Sequence, residues 1–214
     1  MNVVFDHLDV FGSGLWITLQ LTALSYLLAL GVGVVVATMR VCPAAPLRAA
    51  GLVYVETVRN TPPLVLILLF VYGLPKTGVK YSLFVSAVVV LGGYTGTFVA
   101  EALRSGISAV PLGQAEAARS LGMTFGTTLR HVVLPQAIRT VIPPLGQLLS
   151  ALVRNTSLAA PIGLLELTAR AGQLNTSEPD PVWIYFAAAA TYMIVTLPLG
   201  ALTRLVERRV AVAR

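Results

Sequence analysis

LWITLQLTALSYLLALGVGVVVATM, residues 15–39, runs for 25 positions without a charged side chain. At about 1.5 Å per residue a helix of this stretch exceeds the ~30 Å hydrocarbon core of a bilayer. In lipid, a lone segment satisfies its peptide groups only as a helix. Outward from this stretch apolar runs of similar length, carrying few charges, recur at residues 53–74, 82–100, 141–162 and 183–205. The spacing predicts an all-α integral membrane protein with five transmembrane helices, organised as one transmembrane domain over residues 1–214. The composition agrees: 56% of the residues are hydrophobic and 11% charged, against roughly 25% charged in soluble domains. Too little chain remains outside the spans for a separate soluble catalytic domain.

Arginine and lysine set the orientation. Arg40 and Arg48 lie between the first two spans. Arg104, Arg119, Arg130 and Arg139 lie between the third and fourth, and Arg204, Arg208, Arg209 and Arg214 close the chain. The other side has Lys76, Lys80 and Arg170 among Asp6, Asp9, Glu166, Glu178 and Asp180. Positive residues favour the cytoplasmic side, which puts the N-terminus outside and the C-terminus inside. The net charge of +6 is therefore read as topology and not as a nucleic-acid footprint. Residues 1–14 have no basic cluster, so the first apolar stretch is read as a retained span and not as a cleaved leader.

Several chemistries find no residues to carry them. One cysteine, Cys42, makes an internal disulfide impossible, and the two histidines, His7 and His131, lie far apart in the sequence. No GxxxxGK[ST] phosphate loop, HExxH pair or serine–histidine–aspartate set appears. The expectation is a non-enzymatic chain with no cofactor of its own.

By this topology, residues 101–140 form a cytoplasmic loop of about forty residues. Residues 113–121 are rich in helix formers, and Gly122 suits a helix C-terminal cap. Thr124 is placed to cap a second short helix over 125–133, which Pro135 is expected to interrupt. Two such helices imply a docking surface; the plainer alternative is that they lie along the membrane interface.

In this loop Glu116, Ala117 and Ala118 are followed by three residues, Gly122, nine residues, Val132, one residue, and then Leu134–Pro135. The pattern resembles the EAA signature of permease subunits of ATP-binding-cassette (ABC) importers, with valine where the signature has isoleucine. ETVRNTPPL (56–64), YTGTFVAEALRSGI (94–107) and RNTSL (154–158) look like the polar amino-acid branch of that family. The resemblance implies a type I, MetI-like fold of five helices in a bacterial cell membrane. It also implies a coupling helix around Glu116, Ala117, Ala118 and Gly122, anchored by Leu134 and Pro135, that docks on a cytoplasmic ATP-binding subunit dimer. The implied assembly adds a second permease subunit and an extracellular or periplasmic substrate-binding protein, with ATP and Mg held by the ATPase. A glutamate, glutamine or aspartate cargo is favoured, with a basic amino acid as the alternative.

Two polar patches interrupt the spans. Arg154, about 20 Å along the fourth span at ~1.5 Å per residue, is costly against lipid and is expected to face the interior or a wet cavity. With Asn155, Thr156 and Ser157 it forms a candidate site for a substrate carboxylate; a structural pair with Glu166, or a contact to a partner subunit, is the alternative. Asn60, Thr61, Pro62 and Pro63 interrupt the second span, as in a pathway-lining helix, or else start its apolar part. Glu56 and Arg59 are spaced to pair. The small residues of 92–97 are suited to close helix packing, and Tyr94 and Phe98 to the core. A secondary transporter would show a second, matching interruption, which the sequence does not display.

Overall fold

The computed structural model describes residues 2–210, so Arg214, counted above among the cytoplasmic cations, lies outside the described residues. Among them no strand occurs. In order the helices are α1 (Asn2–Asp6), α2 (Leu8–Val41), α3 (Ala45–Arg59), α4 (Pro63–Leu68), α5 (Leu83–Ser108), α6 (Leu112–Ser120), α7 (Phe125–Thr128), α8 (Leu134–Asn155), α9 (Leu167–Ser177) and α10 (Pro181–Val210). Wide π turns at Leu69–Gly73 and Leu129–Val133 continue α4 and join α7 to α8, and a 3-10 segment, Thr156–Ile162, extends α8.

The centre of the bundle is the seam between α2 and α5. Small residues let the two backbones approach: a Cβ on Gly33 would collide with Val99 Cγ1, and one on Gly96 would meet Val32 Cγ1 at 2.9 Å. Ser82 starts α5 by accepting the Val85 N–H at 3.2 Å, an N-terminal cap. Around the seam Leu21, Ile67, Leu91 and Leu152 are wholly buried in one apolar cluster. A second cluster gathers Phe11, Leu167, Leu174 and Ile184 from α2, α9 and α10. Tyr26 donates to Leu145 O at 2.9 Å, tying α2 to α8.

Three helices, Leu8–Val41, Leu83–Ser108 and Pro181–Arg208, are each long and apolar enough to cross a membrane. Two bent pairs raise the number to five if each is one crossing: Ala45–Arg59 with Pro63–Thr77, bent by 101°, and Phe125–Ile162 with Leu167–Ser177, bent by 49°.

The first bend falls at the interruption that the sequence reading placed at Asn60, Thr61, Pro62 and Pro63 and corrects only the bounds of that span, whereas the second bend corrects the reading of the fourth span. Residues 53–74 are not one straight helix; α3 begins earlier, at Ala45, and stops at Arg59. Pro62 and Pro63 have no N–H for the carbonyls of Val58 and Arg59, so the helix cannot run through them. Residues 141–162 are α-helical only to Asn155. Beyond the 3-10 turn, Gly163 takes a left-handed φ of 85°, and α9 follows in a segment read only as an outer connection.

Within residues 101–140 the flanking helices run on, with α5 continuing to Ser108 and α8 beginning at Leu134. Pro135 does not interrupt the second loop helix. The π turn just before it widens the backbone where a proline ring would meet the preceding carbonyls. Gln136 Nε2 then donates to Val132 O at 2.9 Å.

Candidate functional site: an exposed loop and two broken helices

The loop is held in shape by its own backbone. Helix α6 ends with Gly122 at φ 79°. Gly122 N donates to Arg119 O at 2.9 Å and Met123 N to Ala118 O at 3.1 Å, the paired bonds of a left-handed helix stop. Any residue with a Cβ is strained at such a φ. Two residues on, Thr124 Oγ1 accepts the Thr127 N–H at 3.4 Å and caps α7.

Within this frame Glu116 and Ala117 are exposed, while Ala118 is buried against the rest of the loop. Leu134 helps line an apolar cavity of about 160 Å³ with Leu103, Ile107 and Val141, between α5 and α8. Pro135 faces outward.

Three residues missed in the sequence complete this surface. Leu112, Leu121 and Phe125 are 81%, 83% and 81% exposed. They bracket α6 and open α7, outside any apolar helical stripe, so periodicity does not flag them. Their signal is the reverse: large apolar residues at helix ends that have no partner within the chain.

The second region joins the two helix breaks. Helix α4 starts at the first and packs against the segment Thr156–Ile162 at the second, with Ile67, Ala159 and Ile162 in one buried cluster. At the first break the polar side chains repair the backbone. Asn60 Nδ2 donates to Glu56 O at 2.7 Å, Thr61 Oγ1 to Thr57 O at 2.8 Å, and Thr61 N to Val58 O at 3.3 Å. Glu56 and Arg59 do not pair. Glu56 Oε2 instead accepts from Asn60 at 3.1 Å, and the Arg59 guanidinium lies 5.8 Å from the Phe98 ring centre. Phe98 meets Tyr94 edge-on, with ring centres 5.3 Å apart.

The second break is built the same way. Thr156 is wholly buried and gives its hydroxyl to Val153 O at 2.7 Å, so it does not share the open face of Arg154. Ser157 Oγ donates to Arg154 O at 2.7 Å, and Asn155 is half-buried. Arg154 itself is exposed, and among the described residues it has no acidic partner.

The proposed pairing of Arg154 with Glu166 is absent. Glu166 is buried at the N-terminus of α9, where its carboxylate accepts from Thr168 N (3.0 Å), Ala169 N (2.9 Å) and Tyr192 Oη (2.7 Å). Leu167 N donates to Thr18 Oγ1 at 3.2 Å, so this one corner fastens α2, α9 and α10 together.

Between the bent α3–α4 unit and α5 opens a crevice of about 640 Å³, lined by Tyr54, Val58, Leu66, Phe70, Val90 and Tyr94 among others. The Tyr54 hydroxyl donates to Gly93 O at 3.0 Å, which leaves the crevice walls almost wholly apolar. The region thus offers a cation without a partner at one break and a wide apolar opening beside the other.

Comparison with known proteins places this geometry. Residues 29–212 match the family described as binding-protein-dependent transport system inner membrane component. The chain is 43% identical to a glutamate transport system permease protein of Corynebacterium glutamicum over 90% of this chain and 91% of that one. It is 36% identical to a probable glutamine ABC transporter permease protein of Bacillus subtilis (strain 168), over 98% and 97%. A solved structure described as an amino acid ABC transporter with histidines superimposes with a TM-score of 0.93 at 35% identity, covering 96% of each chain.

Proposed function

The chain belongs to the binding-protein-dependent transport system inner membrane components, and from that footing we propose that it is the membrane-spanning subunit of an ATP-driven importer of a polar amino acid. Glutamate, glutamine or aspartate is the favoured cargo, in line with the glutamate and glutamine permeases it resembles. In this reading each bent pair is one crossing, giving five spans with the N-terminus outside and the loop and C-terminus in the cytoplasm. Two permease subunits, identical or different, enclose the path, because five helices are too few to surround one. A substrate-binding protein delivers the cargo from outside, and two ATP-binding subunits, which hold ATP and Mg, drive it through.

The observation that carries the reading is the loop. It is rigid by its own hydrogen bonds, yet it presents Leu112, Leu121 and Phe125 to solvent beside Glu116 and Ala117. Apolar side chains held open on a preformed turn are suited to insertion into a cleft on another protein. Movement of that protein then reaches the broken helices through α7 and α8. Arg154, exposed and without an acidic partner, is the group proposed to receive the substrate carboxylate.

The test is uptake by proteoliposomes holding the assembled complex with substrate-binding protein outside. Glutamate or glutamine accumulation that needs ATP and stops with vanadate is expected. Uptake driven by an ion gradient through this chain alone would overturn the proposal. The solved relative is described with histidines, so histidine and arginine belong in the uptake panel. In the same system Arg154→Met is expected to raise the KM for glutamate about tenfold or more, the scale of a lost charge-assisted hydrogen bond. An unchanged KM would remove Arg154 from the path.

A further inference from the structure

At the junction of α2 and α3 lies a pocket of about 390 Å³ lined by Arg40, Ala45, Arg48, Ala49 and Leu52. Arg48 is fixed there: its Nη1 donates to Cys42 O at 3.0 Å and to Pro43 O at 2.7 Å. That uses two of the five guanidinium N–H groups and leaves three for an acceptor from outside. Arg40 forms the opposite wall and pairs with Glu101. Glu101 is shared, since Arg104 Nη2 also lies 3.1 Å from its carboxylate. One carboxylate for two arginines, with Arg48 beside them, leaves this end of the bundle with surplus positive charge.

The rim is of the opposite character. Leu52, which lines the pocket, is 46% exposed, and the chain neighbours of Arg40 and Leu52, Val41 and Val53, are 52% and 63% exposed. A basic pocket edged by uncovered aliphatic side chains, at the end of a membrane-crossing helix, matches a molecule with an anionic head and hydrocarbon tails. A free anion would leave the rim uncovered.

We propose that this pocket binds the phosphate of an anionic phospholipid, with Arg48 and Arg40 on the head and the α3 aliphatic residues along the acyl chains. The site is independent of which amino acid is transported. It gives the joint between α2 and α3 a lipid ligand, so the composition of the surrounding leaflet bears on the stability of the joint.

The full-length chain, purified in detergent with equimolar phosphatidylglycerol and phosphatidylcholine, tests this by native mass spectrometry of the retained lipid. Phosphatidylglycerol is expected to be retained several-fold over phosphatidylcholine. Arg48→Ala is expected to lower that ratio roughly five-fold, the scale of one interfacial arginine. Ala49→Trp, which fills the pocket without changing charge, is expected to abolish the preference, and it carries the test alone if Arg48→Ala does not fold. Arg139→Ala, on a different helix, is expected to leave the ratio unchanged.

Equal retention of the two lipids would overturn the proposal, as would an equal response to Arg139→Ala. Displacement of phosphatidylglycerol by equimolar glycerol 3-phosphate would assign the pocket to a free anion and overturn the lipid reading.

Discussion

The α2–α5 seam and the α6–α7 tip use glycine for opposite ends. In the seam, Gly33 and Gly96 omit a side chain so that two helices touch, and of their neighbours Val99, Ala100 and Ala29 are wholly buried and Val32 is half-buried. At the tip, Gly122 has nothing within contact of a built Cβ; it is needed for the sign of its φ. The seam closes on itself, whereas the tip leaves Leu112, Leu121 and Phe125 open. Burying apolar surface stabilises by about 25 cal/mol per Å², and the tip forgoes this stabilisation within the chain, which is why it is the surface proposed to dock on a partner. The comparison separates residues that hold the protein together from residues that connect it.

The largest expected effect is in the seam. Gly33→Leu drives a branched side chain into Val99 and should prevent a folded, monodisperse protein, as seen by size-exclusion chromatography. A well-behaved variant with wild-type Tm would refute the close-packed seam.

Next comes the tip. Gly122→Val places a β-branched residue at φ 79° and should leave the protein in the membrane while abolishing uptake; Glu116→Lys should do the same by reversing the exposed charge. Normal uptake at normal membrane abundance with either would erase the distinction between the two regions.

Phe125→Asp is expected to leave Tm unchanged, because the ring touches little of its own chain, and to weaken co-purification of the ATP-binding subunits about tenfold, the scale of one interface anchor. A fall in Tm without loss of the partner would make the tip an ordinary part of the fold.

The smallest effect sharpens the seam. Gly96→Ala should cost about 1 kcal/mol, since the overpacking penalty of ~1–3 kcal/mol is partly offset by the helix preference of alanine over glycine. A gain in Tm would show slack between α2 and α5.

What the sequence displays and what it hides follow from the range of the interactions. The first break is legible because two adjacent prolines act on their own turn. The α6 stop is legible because Gly122 follows a run of helix formers. The second break is not: Pro161 and Gly163 fall at the end of an apolar run, and the corner at Glu166, beyond the carboxylate's own cap on Thr168 N and Ala169 N, is fixed by Tyr192, 26 residues on, and by the Leu167–Thr18 bond across 149 residues. The continuation of the loop helix through Pro135 depends on a π turn, which has no residue signature. The polar residues of the two breaks were legible as a group, but their duties were not. Asn60, Thr61, Thr156 and Ser157 spend their donors on nearby carbonyls, which leaves Arg154 as the charged member with its donors still open.

The repair of the first break by Asn60 and Thr61 has an electrical consequence. A chain that turns through 101° inside a slab of low dielectric would ordinarily bring in water to satisfy its freed carbonyls, and a file of water conducts protons. Here Val58 O, one of the two carbonyls that the prolines release, accepts from Thr61 N, and Asn60 and Thr61 add side-chain donors to the carbonyls of Glu56 and Thr57. Each carbonyl met within the chain calls for one water fewer, which bears on how well a bend like this holds back a membrane potential worth about 2.3 kcal/mol per elementary charge at 100 mV.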